Sequence, residues 1–193
     1  MGRADDSGAD RSLLTAAMVK PTSARYPALM SEDPKRSSEG DRPAGDLHAL
    51  YRARVMDHAR QPRHFGKLAH ATHRADGHNP LCGDRLTLML ECRDDVIAEV
   101  AFEGEGCALS MASASMLTSA ISGRSREEAH ALRVRVMAAL SGPEPTDTET
   151  LGEVSALTTV RGFPARIGCV TLAWQTLARA LAASPDVADH PRG

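Results

Sequence analysis

The sequence predicts an α+β domain: a small antiparallel sheet of about three strands packed against several helices, behind a disordered N-terminal tail. Three observations carry that reading. From Arg85, Leu86, Leu88, Leu90 and Cys92 alternate with Thr87, Met89 and Glu91, the period-two pattern of a strand. After Gly106 comes a run of small residues, Ala108-Leu109-Ser110-Met111-Ala112-Ser113-Ala114-Ser115-Met116-Leu117, which reads as a helix able to lie close to a sheet. Ser125 and Glu128 then have the spacing of a capping box. The order is helix, sheet, helices, without the strand–helix alternation of a parallel fold.

Residues 1–45 are rich in Ser, Asp, Arg, Pro and Gly, too polar to repay their ordering entropy, and read as a disordered tail with Met30 as a candidate internal start. The domain is expected over 46–184, with a short tail at 185–193. Leu47, Leu50, Tyr51, Arg54, Val55 and His58 follow helical spacing, with Asp46 as N-cap and Gln61-Pro62 as the stop. Residues 62–81 are polar, with room for one weak edge strand. The strand from Arg85 turns at Arg93-Asp94-Asp95 into a second, Val96 to Phe102, as a hairpin. Gly104-Glu105-Gly106 breaks that strand, and Cys107 opens the small-residue helix, which runs to Gly123. The capped helix reaches about Leu140 and stops at Ser141-Gly142-Pro143. An acidic loop, Glu144 to Thr150, leads to a short helix, Leu151 to Val160, and to a break at Arg161-Gly162-Phe163-Pro164. Cys169 starts the final helix, whose apolar face surrounds Trp174 and which Ser184-Pro185 ends.

Composition excludes several classes. A net charge of -2 offers no general attraction to nucleic acid or to an anionic membrane. No apolar run approaches the roughly 18 residues of a spanning helix. Aromatics make up only 3%, so the core must come from Leu, Val, Ile, Met and Ala. Four cysteines without a secretory signal favour thiol or metal chemistry over disulfides, and a cytoplasmic location is expected.

Three of those cysteines stand at Gly- or Pro-marked junctions: Asn79-Pro80-Leu81-Cys82-Gly83-Asp84, Gly104-Glu105-Gly106-Cys107, and Phe163-Pro164-Ala165-Arg166-Ile167-Gly168-Cys169. Metal ligands must be deprotonated. Cys107 and Cys169 are predicted in the first turn of a helix, where exposed amides lower a thiol pKa. Cys82 and Asp84 flank Gly83, so a tight turn can bring both to one ion. Three thiolates and a carboxylate suit zinc, and would also accept iron or a cluster. That set with a divalent ion sums to about -2, so Arg166 and Arg85 are candidates to sit beside the ligands. Spacing alone leaves the alternative open that the three thiols are small hydrophobes of the core.

Further residues resemble a known family. Leu50-Tyr51 through Met56-Asp57-His58 with Gln61-Pro62-Arg63, Asn79 to Arg85, Phe102 to Ser115 and Phe163 to Cys169 are similar to the opening helix and three cysteine motifs of the U-type iron–sulfur cluster assembly proteins, IscU and NifU N-domain-like. The resemblance covers about residues 47–183 and is nearest to the SufU branch. Classical scaffolds carry His immediately before the third cysteine, where this chain has Gly168, and the stretch 123–162 resembles the longer SufU insertion. The resemblance implies zinc held by Cys82, Asp84, Cys107 and Cys169. It also implies Cys82 as acceptor of persulfide sulfur from a PLP-dependent cysteine desulfurase, catalytic only with that partner, alongside other SUF assembly proteins. SufU members usually carry Lys where this chain has Gly168, so a positive charge is lost there. The alternatives are a scaffold that assembles a 2Fe–2S cluster on the same ligands, and a structural zinc adaptor.

The remaining candidates are weaker. Cys92 lies on the expected inward face of a strand and matches no motif. His78, four residues before Cys82, is the one histidine positioned to compete for a metal, whereas His58 and His64 read as surface groups. Met89, Met111, Met116 and Met137 read as core filling, and no Ser-His-Asp pattern or Gly-rich phosphate loop is present.

Overall fold

The computed structural model describes residues 44–142 and 149–183, with side chains from residue 49 onward. Residues 1–43 of the expected tail, most of the acidic loop, the stop at Ser184-Pro185 and the tail at 185–193 lie outside the described residues. The elements are α1 (Ala44–Arg60), β1 (His73–His78), β2 (Arg85–Arg93), β3 (Val96–Glu105), α2 (Ala108–Ile121), α3 (Arg126–Ser141), a 3-10 segment (Glu149–Gly162) and α4 (Pro164–Ala182). The sheet is antiparallel in the order β1-β2-β3, so the expected edge strand is present. Asp94 and Asp95 take positive φ of 49° and 66°, which tightens the β2–β3 turn.

Side chains alternate as the pattern requires near Leu86 and Leu88, but Met89 and Glu91 are buried as well, so the middle of β2 is covered on both faces. The register shifts between Glu91 and Cys92, leaving Cys92 half-buried against the core and consistent with the core thiol expected there. α2 is enclosed nearly all round: Ala112, Ser113, Ala114, Ser115, Met116, Leu117 and Thr118 are buried. Its hydroxyls are matched inside, as buried polar groups must be. Ser113 Oγ donates to the Val170 carbonyl at 2.7 Å and accepts from Trp174 Nε1 at 3.1 Å, which ties α2 to α4 in the core. Met89 and Met116 are fully buried, and Met111 and Met137, partly buried, pack against the core cluster that includes Met116.

Five local expectations change. α1 starts at Ala44, so Asp46 lies within its first turn and is not its cap. Gly104 does not break β3: it pairs with Leu86, and a Cβ there would sit 2.3 Å from the Arg85 carbonyl, so only glycine lets the strands approach so closely. The helix expected from Leu151 is a longer 3-10 segment, kinked at Gly152 with φ 56°. α4 begins at Pro164, not Cys169, because proline at N1 presets a helical φ and lacks an N–H that the helix would leave unpaired anyway. His58 is buried and not a surface group: its Nδ1 meets Ser115 Oγ at 2.8 Å, and that hydroxyl also accepts the Arg63 N–H at 2.8 Å.

Candidate metal centre

Three segments meet at one end of the sheet. The loop between β1 and β2 folds on itself: the Asn79 N–H donates to the Asp84 carbonyl at 2.9 Å, and Gly83 N–H donates to the Asn79 carbonyl at 2.8 Å. Asn79 Oδ1 accepts the Leu81 N–H at 3.1 Å, a side-chain turn characteristic of Asn. Gly83 takes φ +77°, the left-handed conformation that lets Cys82 and Asp84 face the same way across two residues. The tight turn expected from Cys-Gly-Asp is therefore present.

The loop hands its two functional groups to different environments. Asp84 is buried at 3% exposure, Cys169 at 2%, and Cys82 is exposed. Asp84 Oδ1 accepts the Cys107 N–H at 3.0 Å. The Gly106 backbone presses against the same carboxyl group, where a Cβ would lie 2.9 Å from Asp84 Cγ. Asp84 Oδ2 is buried with no hydrogen-bond partner. A carboxylate clamped through one oxygen and orphaned at the other is costly unless a cation completes it.

Cys82 Sγ, a carboxylate oxygen of Asp84 and Cys169 Sγ lie within 4.8 Å of one another, and the Cys169 thiol donates to Cys82 Sγ at 3.5 Å. Cys107 Sγ is not a member of that trio, but it is near enough to Cys169 to help push that thiol's pKa up. All four residues expected as ligands thus occupy one neighbourhood, with Cys107 set back at the N-cap of α2. The electrostatic expectation for Cys169 is reversed. It sits in the second turn of α4, and burial pushes its thiol far above the ordinary range; hydrogen bonds with Cys82 and Cys107 and the charges of Cys107 and Asp84 push it further. Cys169 therefore keeps its proton unless a cation replaces it. Sulfur-rich donors with one carboxylate fit zinc, and the orphaned Asp84 oxygen fits it too.

Arg85 and Arg166 are exposed, and neither side chain makes a hydrogen bond or ion pair among the described residues. His78 ends β1, exposed and paired in the sheet with Arg85, and is not in the close trio. Asn79, which organises the loop, was not anticipated as a contributor, whereas Gly106 lets backbone lie close to Asp84 with no Cβ in the way, as a glycine beside the ligands would. The Asn-Pro pair was the available signal for Asn79.

Comparison with known proteins agrees with this architecture. The model of the NifU-like N terminal domain family matches residues 50–183. The zinc-dependent sulfurtransferase SufU of Bacillus subtilis (strain 168) is 42% identical over 137 residues, 71% of this chain and 92% of that protein. The iron-sulfur cluster assembly scaffold protein IscU of Streptococcus pyogenes serotype M1 is 42% identical over 135 residues, 70% of this chain and 84% of the relative. A crystal structure described as a putative iron-sulfur cluster assembly scaffold protein for the SUF system, from Fervidobacterium islandicum AW-1, superimposes with a TM-score of 0.64 at 34% identity, covering 69% of this chain and 98% of that one. With most of its described length matched and the three cysteine segments gathered at one end of the sheet, the chain belongs to the NifU-like N-terminal domain family.

Proposed function

We propose that this chain is a zinc-dependent sulfur acceptor of SUF-type iron–sulfur cluster assembly, working in the cytoplasm with a PLP-dependent cysteine desulfurase and other SUF proteins. The observation that carries the reading is the pairing of an exposed loop thiol, Cys82, with a buried thiol, Cys169, 3.5 Å away. One sulfur is reachable by a partner while the other donors stay fixed. Zinc held by Cys82, Asp84, Cys107 and Cys169 supplies the positive charge that keeps thiols as thiolates at neutral pH, without redox chemistry of its own.

The chain's residues then divide the work. Asp84, clamped by the Cys107 amide, and Cys169, fixed in α4, hold the frame. With zinc bound, Cys82, the exposed donor, would be the one free to leave when the desulfurase docks, while the buried donors would stay in place. The Cys82 thiolate attacks the outer sulfur of the desulfurase persulfide. A new S–S bond forms on Cys82, the old one breaks, and its electron pair leaves with the desulfurase cysteine, so no outside oxidant or reductant is needed. Arg85 and Arg166, exposed beside these segments, offset the negative charge of the donor set.

The test is desulfurase turnover with wild-type and Cys82→Ala protein. Stimulation is expected to vanish in the variant, and stimulation equal to wild type overturns the assignment. The second reading is a scaffold that builds a 2Fe–2S cluster on the same ligands, a reading supported by the scaffold name of the streptococcal relative. Metal analysis with an optical spectrum separates the two: colourless protein with zinc for the acceptor, brown protein with iron and sulfide for the scaffold.

A further inference from the structure

Gly168 stands in the second turn of α4, exposed to solvent, immediately before Cys169. Glycine is the costliest non-proline residue inside a helix, and core packing does not require it at an exposed position. What occupies its missing side chain's place is Asn79. A Cβ on residue 168 would lie 3.1 Å from Asn79 Nδ2, 3.9 Å from Cγ and 4.0 Å from Oδ1, so the carboxamide rests on bare backbone. Asn79 is also the residue through which the Cys82 loop is closed, by its N–H, its carbonyl and its Oδ1. The loop therefore touches α4 at two neighbouring points: Asn79 on Gly168, and Cys82 Sγ against Cys169 Sγ at 3.5 Å.

We propose that the Asn79–Gly168 contact is a latch that seats the Cys82 loop on α4 and sets how readily Cys82 separates from Cys169. Asn79 is thus a positioning residue, and Gly168 is its socket. The inference rests on the metal reading only for its consequence, the rate at which an ion held by both sulfurs is released. A Cβ at position 168 lifts the carboxamide by a few tenths of an ångström, and the loop with it. The same change removes a helix glycine. The two effects pull in opposite directions, so α4 gains stability while the loop loosens.

Four full-length proteins test this: wild type, Gly168→Ala, Asn79→Ala and the double variant. Zinc release to a chromogenic chelator is expected to quicken about fivefold in Gly168→Ala, the low end of an overpacking penalty. Asn79→Ala also releases faster, and adding Gly168→Ala to it changes nothing more, because the group that collides is gone. Release from Gly168→Ala at the wild-type rate overturns the latch, as does the same acceleration in both backgrounds. A zinc-free readout keeps the two readings apart. Diamide, a thiol oxidant, is expected to join Cys82 to Cys169 fast in wild type and more slowly in Gly168→Ala, with the double variant matching Asn79→Ala. Failure of every protein to retain zinc, with that cross-linking pattern present, overturns the metal reading and supports the latch. Equal cross-linking rates in wild type and Gly168→Ala overturn the latch.

Discussion

α2 and α3 begin in opposite ways. The start of α3 is self-contained: Ser125 Oγ accepts the Glu128 N–H at 3.1 Å, and Glu128 accepts the Ser125 N–H at 2.9 Å. The start of α2 finds no partner in its own first turn. Cys107 makes no side-chain cap, and its amide turns to Asp84, 23 residues away in the β1–β2 loop. Both ends answer the same need, an amide that the helix cannot pair. A local cap stabilises its own helix and nothing else. A borrowed cap couples the helix to whatever the lender binds.

That contrast is most exposed by removing the lender. Asp84→Ala deletes a candidate ligand and the α2 cap together. Zinc affinity, read by competition with a chelator, is expected to fall by more than the roughly 100-fold upper range for loss of an outer partner. In the zinc-free protein the lost cap, about 1 kcal/mol, is set against relief of the buried unpaired Asp84 oxygen, so denaturant stability should change little. Unchanged zinc affinity would sink the coupling. Gly106→Ala acts at one remove: a Cβ placed 2.9 Å from Asp84 Cγ must push the carboxylate off the Cys107 amide. Affinity should drop about 10-fold, as when an orienting partner is lost.

Ser125→Ala is the matched control. It should cost about 1 kcal/mol in denaturant stability and leave zinc affinity alone. An affinity change of the Gly106→Ala size would show that α3 is coupled too. The smallest effect belongs to His58, which joins α1 to α2 away from both helix starts. Burial first, then the Arg63 charge, lowers its pKa below the ordinary 6.5. The folded protein therefore binds this proton less readily than the unfolded chain. Stability from a neutral His58 is complete above about pH 6.5 and is lost as pH falls through the lowered value. Zinc-free wild type should lose more melting temperature than His58→Gln between about pH 7.5 and 5. Parallel curves would remove His58 from the account.

The two helix starts also mark what the sequence could and could not disclose. The Ser125–Glu128 box is legible because both halves lie within one turn, and the hairpin is legible because its alternation and its turn are local. The cap of α2 is not, since nothing near Cys107 points to Asp84. The start of α4 was misplaced for a related reason: Pro164 carries the same signal whether it ends a segment or opens a helix. That error shifted Cys169 from an exposed first turn to a buried second turn and reversed the direction of its thiol's shift. His58 looked like a surface residue because Ser115, its partner, lies 57 residues on. The meeting of Cys82, Asp84 and Cys169 is suggested by their Gly- and Pro-marked junctions and strengthened by motif resemblance, whereas the role of Asn79 emerges only from tertiary contact.

Trp174 is the chain's one tryptophan, and its indole N–H ends on Ser113 of α2 while its own helix carries Cys169. The molecule thus contains a single indole, placed between the two helices that bring Cys107 and Cys169 together. Buried and hydrogen-bonded, it is expected to emit as a dry indole for as long as those helices stay closed. A red shift would report their separation, while release of Cys82 alone, on a loop across the site, would leave the spectrum where it was.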